Sequence, residues 1–250
     1  MSGHSKWASI KHKKAVTDAR RGQLFTKLAR AITVAAREGG GDPTANFTLA
    51  AAVEKARSYS MPKESIQRAI DRGTGAGGAD EAIERAVYEG YGPGGVAIMV
   101  EALTDNRNRT GADVRHLFDK QGGSLGEPGS VAWVFDKRGV VTVDAERYSE
   151  DDLIPAIDAG AEDVSLDGGL LKVTTDPRSL AAVGEALASA GVEADSAEMA
   201  MEPKSVVEVG EPEAGRLLRL VEALDDLDDV EAVHANFDIA DAVLEAEAAA

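Results

Sequence analysis

The chain has 250 residues, 44% of them hydrophobic, and a formal net charge of −17, which suits a soluble globular protein of two or three modest domains. It contains no cysteine, so disulfides and thiolate metal sites are excluded. No run of about 18 apolar residues exists to span a membrane, and the first residues lack the apolar stretch of a secretory signal, so a cytoplasmic setting is expected.

The charge is split along the chain. Residues 1–38 hold nine lysines and arginines against two acids, a balance of +7, which leaves −24 on residues 39–250. A basic arm on an acidic body draws a polyanion to one end of the molecule. Nucleic acid is the leading candidate, because lysine and arginine bind it by neutralising phosphates and releasing counterions. Lys6, Lys13, Arg20 and Lys27 stand seven apart. On one continuous helix they drift by only about 20° per step and form a stripe. Trp7 adds an aromatic plane of the kind that stacks on an unpaired base. The candidate nucleic-acid contacts are Lys6, Trp7, Lys11, His12, Lys13, Lys14, Arg20, Arg21, Lys27 and Arg30. A solvated basic tail is the competing reading. Arms of this composition bury too little apolar surface to fold alone and often order on binding.

Residues 23–78 read as a small helical domain. Leu24, Leu28, Ile32 and Ala36 recur every four residues, predicting a helix from Gln23 to Glu38 that Gly39-Gly40-Gly41 stops. Asp42 and Pro43 resemble an N-cap and first helical residue for a second helix running to Ser58. Pro62 opens a short third helix that Gly73 ends. Gly73, Gly75 and Gly78 spell a formal G-x-G-x-x-G, but a helix precedes it where a dinucleotide site needs a strand. A flexible hinge is the expected role.

The pattern then changes. Val96 to Leu103 is a buried strand, and a helix follows over Arg109–Lys120. Val131, Trp133 and Phe135 alternate, predicting a strand whose aromatics fill core rather than a base-stacking platform. Residues 139–205 read as a complete β-α-β-β-α-β unit of the ferredoxin-like order. An RNA-recognition sheet of that order needs aromatics and a basic face. Strand Leu170–Thr174 has no aromatic, and residues 139–250 carry six bases against 28 acids. After Pro203, one amphipathic helix (Glu213 to Leu227) and one strand (Val230 to Phe237) cannot bury themselves. They would complete the unit begun at Val96. The expected architecture is therefore α+β: a basic arm (1–22), a three-helix domain with a Gly-rich hinge (23–78), and two ferredoxin-like βαββαβ domains. The second of these (139–205) is inserted into the first (79–138 and 206–240), and an acidic tail (241–250) follows.

No H-x-x-x-H, G-x-S-x-G or Walker A pattern occurs, so neither an enzyme, a metal site nor a cofactor is expected. The glycine-dense loop Tyr91, Gly92, Pro93, Gly94, Gly95 permits close backbone approach to a partner. Together with Asn108 and with Arg107 and Arg109, rare cations in an acidic region, it is a possible binding loop. A turn required only for folding explains its glycines equally well.

The opening Gly3-His4-Ser5-Lys6-Trp7-Ala8-x-Ile10-Lys11-His12-Lys13-Lys14, with Asp18-Ala19-Arg20-Arg21-Gly22-Gln23-Leu24-Phe25-Thr26-Lys27-Leu28, resembles the YebC/PmpR family. Met61-Pro62-Lys63, Tyr88 to Gly95, Thr104-Asp105-Asn106-x-Asn108-Arg109-Thr110 and Gly129-Ser130-Val131-x-Trp133-x-Phe135 agree with it. The resemblance implies a three-domain cytoplasmic protein of a kind named probable transcriptional regulators. It also implies kinship with mitochondrial translational activators of cytochrome c oxidase subunit I, and with bacterial members linked to translation through proline runs. Two partners follow: ribosomal RNA, for a ribosome-associated translation factor, or DNA, for a transcriptional regulator. No membrane partner is expected, and a monomer is favoured. A protein-interaction scaffold using the acidic domains is the third reading.

Overall fold

A computed structural model of the chain describes residues 18–76, 83–167, 169–240 and 243–244. Helix α1 spans Asp18–Gly39, α2 Phe47–Ser58 and α3 Lys63–Gly73. They pack around Leu28, Ile32 and Ala36, Leu49, Val53 and Ala56, and Ile66, Ala69 and Ile70, the apolar stripes that the helical spacing marks. The cap of α2 is Asn46 rather than Asp42. Its side chain accepts from Leu49 N (3.1 Å) and donates to Ala35 O and Gly40 O, both at 2.8 Å. One buried amide thus satisfies the end of α1 and the start of α2 together. Asp42 instead holds its own turn through Thr44.

Gly73 is no hinge. It closes α3 where that helix crosses α1, and a Cβ there would lie 2.3 Å from Thr33 O and 2.7 Å from the Ala36 methyl. The Thr33 hydroxyl donates across the same crossing to Ala69 O at 3.1 Å. Gly77 and Gly78 lie outside the described residues.

The chain then enters a sheet through a hairpin of β1 (Glu84–Tyr91) and β2 (Ala97–Thr104), continues as α4 (Arg107–Gln121) and returns as the two-residue β3 (Ser124–Leu125). Next comes the ferredoxin-like unit: β4 (Phe135–Asp144), α5 (Ile154–Asp158), β5 (Ala161–Asp167), β6 (Leu170–Thr175), α6 (Leu180–Ser189) and β7 (Ser196–Pro203). Its strand order is β5-β6-β4-β7. Its core is Val141, Val143, Leu153, Leu171, Val173, Val183 and Leu187. Beyond it come β8 (Val207–Glu208), α7 (Glu211–Asp225), β9 (Val230–Ala235) and β10 (Phe237–Asp238).

β9 pairs antiparallel with β2, giving the sheet β3-β1-β2-β9. Helices α4 and α7 cover one face of it. Phe118, Leu217, Leu220, Leu224 and Val233 meet Ile98 and Val100 there, and each large side chain so buried contributes on the order of 1.5–3 kcal/mol. The chain path differs from a second β-α-β-β-α-β unit begun at Val96. The strand beside β2 is β1, which precedes it, and β8 pairs in parallel with β10 instead. Residues 131–135 also differ from expectation. Ala132–Val134 form a 3-10 turn, which breaks the two-residue alternation of a strand. Phe135 is buried as the first residue of β4, whereas Trp133 is 66% exposed.

Candidate nucleic-acid interface

Lys6, Trp7, Lys11, His12, Lys13 and Lys14 lie outside the described residues, and Arg20 and Arg21 fall in the first turn of α1. Lys27 and Arg30 sit one turn apart on α1 and are directed at the chain itself. Lys27 Nζ donates to Asp225 O. Arg30 Nη1 donates to Asp228 O at 2.8 Å and to the Asp229 carboxylate. These two cations hold the helical unit on the turn between α7 and β9, so neither is freely presented to a phosphate.

Asp229 is the centre of that contact. Its Oδ2 accepts from the Thr110 hydroxyl (2.6 Å), from Arg109 Nη2 (2.8 Å) and from the Thr104 hydroxyl (3.1 Å). Burial raises the carboxyl pKa, but the hydrogen bonds from Thr110 and Arg109 and the Arg30 charge outweigh it and hold it at about 2. The surrounding cleft, of about 330 Å³, is lined by Arg30, Arg109, Thr110, Asp113, Leu227, Asp228 and Asp229. A small apolar cluster of Ala31, Val34, Ile83 and Leu103 and an Arg37 donation to Ile83 O extend the same junction.

The possible binding loop is divided in space. Tyr91 pairs with Ala97 at one end of the hairpin, and Glu84 pairs with Thr104 at the other, about 23 Å away at the rise of an extended strand. Residues 92–95 therefore belong to one end of the sheet and residues 105–109 to the other. Each half has a structural duty. Gly94 and Gly95 take φ of 74° and 76° in the tight turn, which glycine alone adopts without strain. Arg107 approaches Glu84 at 3.8 Å, Arg109 is bound to Asp105 and Asp229, and Asn108 is exposed.

The constellation that sequence reading missed is at the Tyr91 end. Glu89, buried on β1, accepts from Gly129 N at 2.7 Å and from Val131 N and Ala132 N at 2.8 Å. Burial raises this carboxyl, but the three backbone donors outweigh it and its pKa lies below the ordinary value. Two aromatic rings converge on the loop so gripped, Trp133 just beyond it and Tyr91 from the end of β1. Trp133 Nε1 and the Tyr91 hydroxyl both donate to Ser130 O at 3.0 Å. A glutamate spaced evenly among β-strand residues gives no signal of this, because its partners are main-chain groups 40 or more residues away.

Cations exposed elsewhere include Arg57, Lys63 and Arg72 on α2 and α3, which bond to no carboxylate among the described residues. Among the described residues, no group of three or more His, Asp or Glu side chains is placed to hold a metal ion. No described helix is long and apolar enough to cross a membrane.

A helical unit followed by two β-rich units, with a cationic end and an acidic bulk, matches a known architecture. The family model for the TACO1/YebC N-terminal domain matches residues 5–76, and that for the TACO1/YebC second and third domain matches residues 83–237. The chain belongs to the TACO1/YebC family. It is 56% identical to a probable transcriptional regulatory protein of Rubrobacter xylanophilus, covering 98% of both chains. It is 54% identical to one of Roseiflexus castenholzii, covering 96% of both. The crystal structure of a conserved hypothetical protein from Aquifex aeolicus superposes with a TM-score of 0.82 at 45% identity, over 90% of this chain and 93% of that one.

Proposed function

We propose that the chain is a nucleic-acid-binding regulator of gene expression that docks its basic end on ribosomal RNA and eases translation through proline runs. The observation that carries this reading is the partition of charge, +7 on residues 1–38 against −24 on the remainder. Such a molecule approaches a polyphosphate end-on, with its acidic units held outward by repulsion. Because Lys27 and Arg30 bind the chain itself, first contact falls to Lys6, Lys11, Lys13, Lys14, Arg20 and Arg21. Arg57, Lys63 and Arg72 add exposed charge on the same helical unit. The mechanism needs no catalytic side chain. A factor that favours a productive geometry of the substrates speeds a stalled step, and proline's fixed ring restricts the geometry of a growing chain.

The test is reconstituted translation of messages with and without a proline run, with the protein added or omitted. A rate gain confined to the proline message, and lost on replacing Lys11, Lys13 and Lys14 by glutamate, supports the reading. Equal rates on both messages overturn it. The relatives' name, probable transcriptional regulatory protein, favours a second reading in which the same end binds promoter DNA. A specific promoter fragment shifted at physiological salt against excess competitor DNA would select that one.

A further inference from the structure

We infer that Trp133 and Tyr91, flanked by Arg216 and Lys204, form a second nucleic-acid contact, a stacking site for an unpaired base of single-stranded RNA. The inference rests on the nucleic-acid reading above but not on the basic arm.

Three observations converge. First, both rings are presented to solvent, Trp133 at 66% and Tyr91 at 38% exposure, with polar atoms that converge on Ser130 O. The indole N–H and phenol O–H already have a partner inside the loop. What is left for a partner is the π-face of each ring, which suits a flat base and not a hydrogen-bonding peptide. Second, the rings are preorganised. Glu89 fixes the loop through three main-chain donors, and Lys204 Nζ donates to Trp133 O at 3.1 Å. A base that stacks here therefore orders little that is not already ordered. Third, one cation approaches the main chain of each ring-bearing residue or of its neighbour, in an otherwise acidic unit. The Arg216 guanidinium lies beside Gly122, 3.6 Å from where a Cβ would sit, and the adjacent Gly123 abuts Tyr91 O. Arg216 is exposed and bonds to no carboxylate among the described residues. Lys204 is half exposed and shares its charge with Asp136 at 3.0 Å. One free and one shared cation in the neighbourhood of the two rings suit the phosphates that flank an extruded base.

The chain contains only two tryptophans, Trp7 and Trp133, which makes the site directly readable. In full-length protein carrying Trp7→Phe, Trp133 is the sole indole. Titration with a short single-stranded oligoadenylate should quench its emission. In the same background, Trp133→Ala should weaken binding of a labelled oligoadenylate roughly 5- to 150-fold, the range of a base stack worth about 1–3 kcal/mol, with an unchanged melting temperature. Trp133→Phe should retain most of the affinity. Arg216→Ala should lower the salt slope of binding by about one. Replacing Lys11, Lys13 and Lys14 by glutamate weakens overall affinity but should leave the quench at saturation intact, which separates this site from the arm. Emission unchanged at saturating oligonucleotide overturns the inference and leaves the rings to a protein partner. Wild-type affinity in Trp133→Ala overturns it equally, whatever the arm variant does.

Discussion

Glu89 and Asp229 are both buried carboxylates with lowered pKa, yet they hold different things. Glu89 is gripped by three uncharged main-chain N–H groups from one stretch, residues 129–132. Asp229 is gripped by two hydroxyls and two guanidiniums from separate parts of the chain, with Arg30 on α1 and Thr104, Arg109 and Thr110 around the start of α4. The first is a brace inside one unit. The second is a latch between the helical unit and the sheet. A brace made of neutral donors is nearly indifferent to salt, whereas a latch made of partly exposed cations is screened by it. Salt should therefore weaken the contact where the cationic helices meet the acidic body and leave the one beneath the aromatic rings.

Removing the brace should have the largest effect. Glu89→Ala strands three N–H groups at about 1 kcal/mol or more each, so a loss of about 3 kcal/mol is expected in denaturant unfolding. Glu89→Gln keeps one acceptor oxygen and should fall between. A variant as stable as wild type would show that water replaces the carboxylate without cost. Asp229→Ala should lose less, about 2 kcal/mol, because Arg109 keeps Asp105 and Arg30 keeps Asp228 O. Its distinctive signature is local. Amide exchange should accelerate in α1 and in residues 74–76, while the loop at residues 129–132 stays protected. Uniform acceleration across the chain would contradict a latch.

Acid sharpens the same distinction. The Asp229 carboxyl is held at about 2 when folded, against about 3.9 in an unfolded chain. Its contribution is present above the unfolded value and is lost as pH falls through the folded one, between about pH 4 and pH 2. By linkage that is on the order of 1–2 kcal/mol. The difference in melting temperature between wild type and Asp229→Asn should therefore shrink as pH is lowered from 5 to 2.5. Glu89, also lowered, shifts in the same direction, so acid weakens both. Salt separates them: 1 M NaCl, with a screening length of about 3 Å, should narrow the gap for Asp229→Asn and leave that for Glu89→Gln. A gap for Asp229→Asn that is constant with pH would sink the assignment.

How much of this was legible in the sequence depends on the range of the interaction. The ferredoxin-like unit could be read strand by strand, because alternation in β4 and β6 and the stripe of α6 are local signals. The stripes of α1 to α3 could be read too, but the Asn46 cap could not, since it answers to Ala35 across a turn. β1 went unread because Glu84, Arg85, Glu89 and two aromatics interrupt its apolar pattern. All five serve contacts outside the strand: Glu84 lies 3.8 Å from Arg107, Arg85 approaches Glu38 and Glu231, the Tyr88 hydroxyl donates to Arg107 O, Glu89 braces the loop, and Tyr91 reaches Ser130. Trp133 was misjudged because a 3-10 turn and an alternating strand share the spacing Val131-x-Trp133-x-Phe135. Of the candidate site residues, composition identified the charge, but Lys27, Arg30 and Arg109 bind acids and carbonyls that no local pattern connects to them.

The smallest effect is expected at a third junction, where Lys55 of α2 meets Glu198 of β7 at 2.9 Å. On distance alone this pair resembles the Arg109–Asp229 contact at 2.8 Å. The difference is exposure. Lys55 and Glu198 are 56% and 52% exposed, whereas Asp229 is 10% exposed. Water screens the first pair and competes for both partners, and two flexible side chains lose rotamer freedom in forming it. A double-mutant cycle of Lys55→Ala and Glu198→Ala should give a coupling of no more than about 0.5 kcal/mol, and less in 1 M salt. The corresponding cycle of Arg30→Ala and Asp229→Ala should give a larger coupling. If the Lys55–Glu198 coupling were the larger of the two, the helical unit would be held chiefly to the inserted unit. The α7–β9 turn could not then be the point at which it is released.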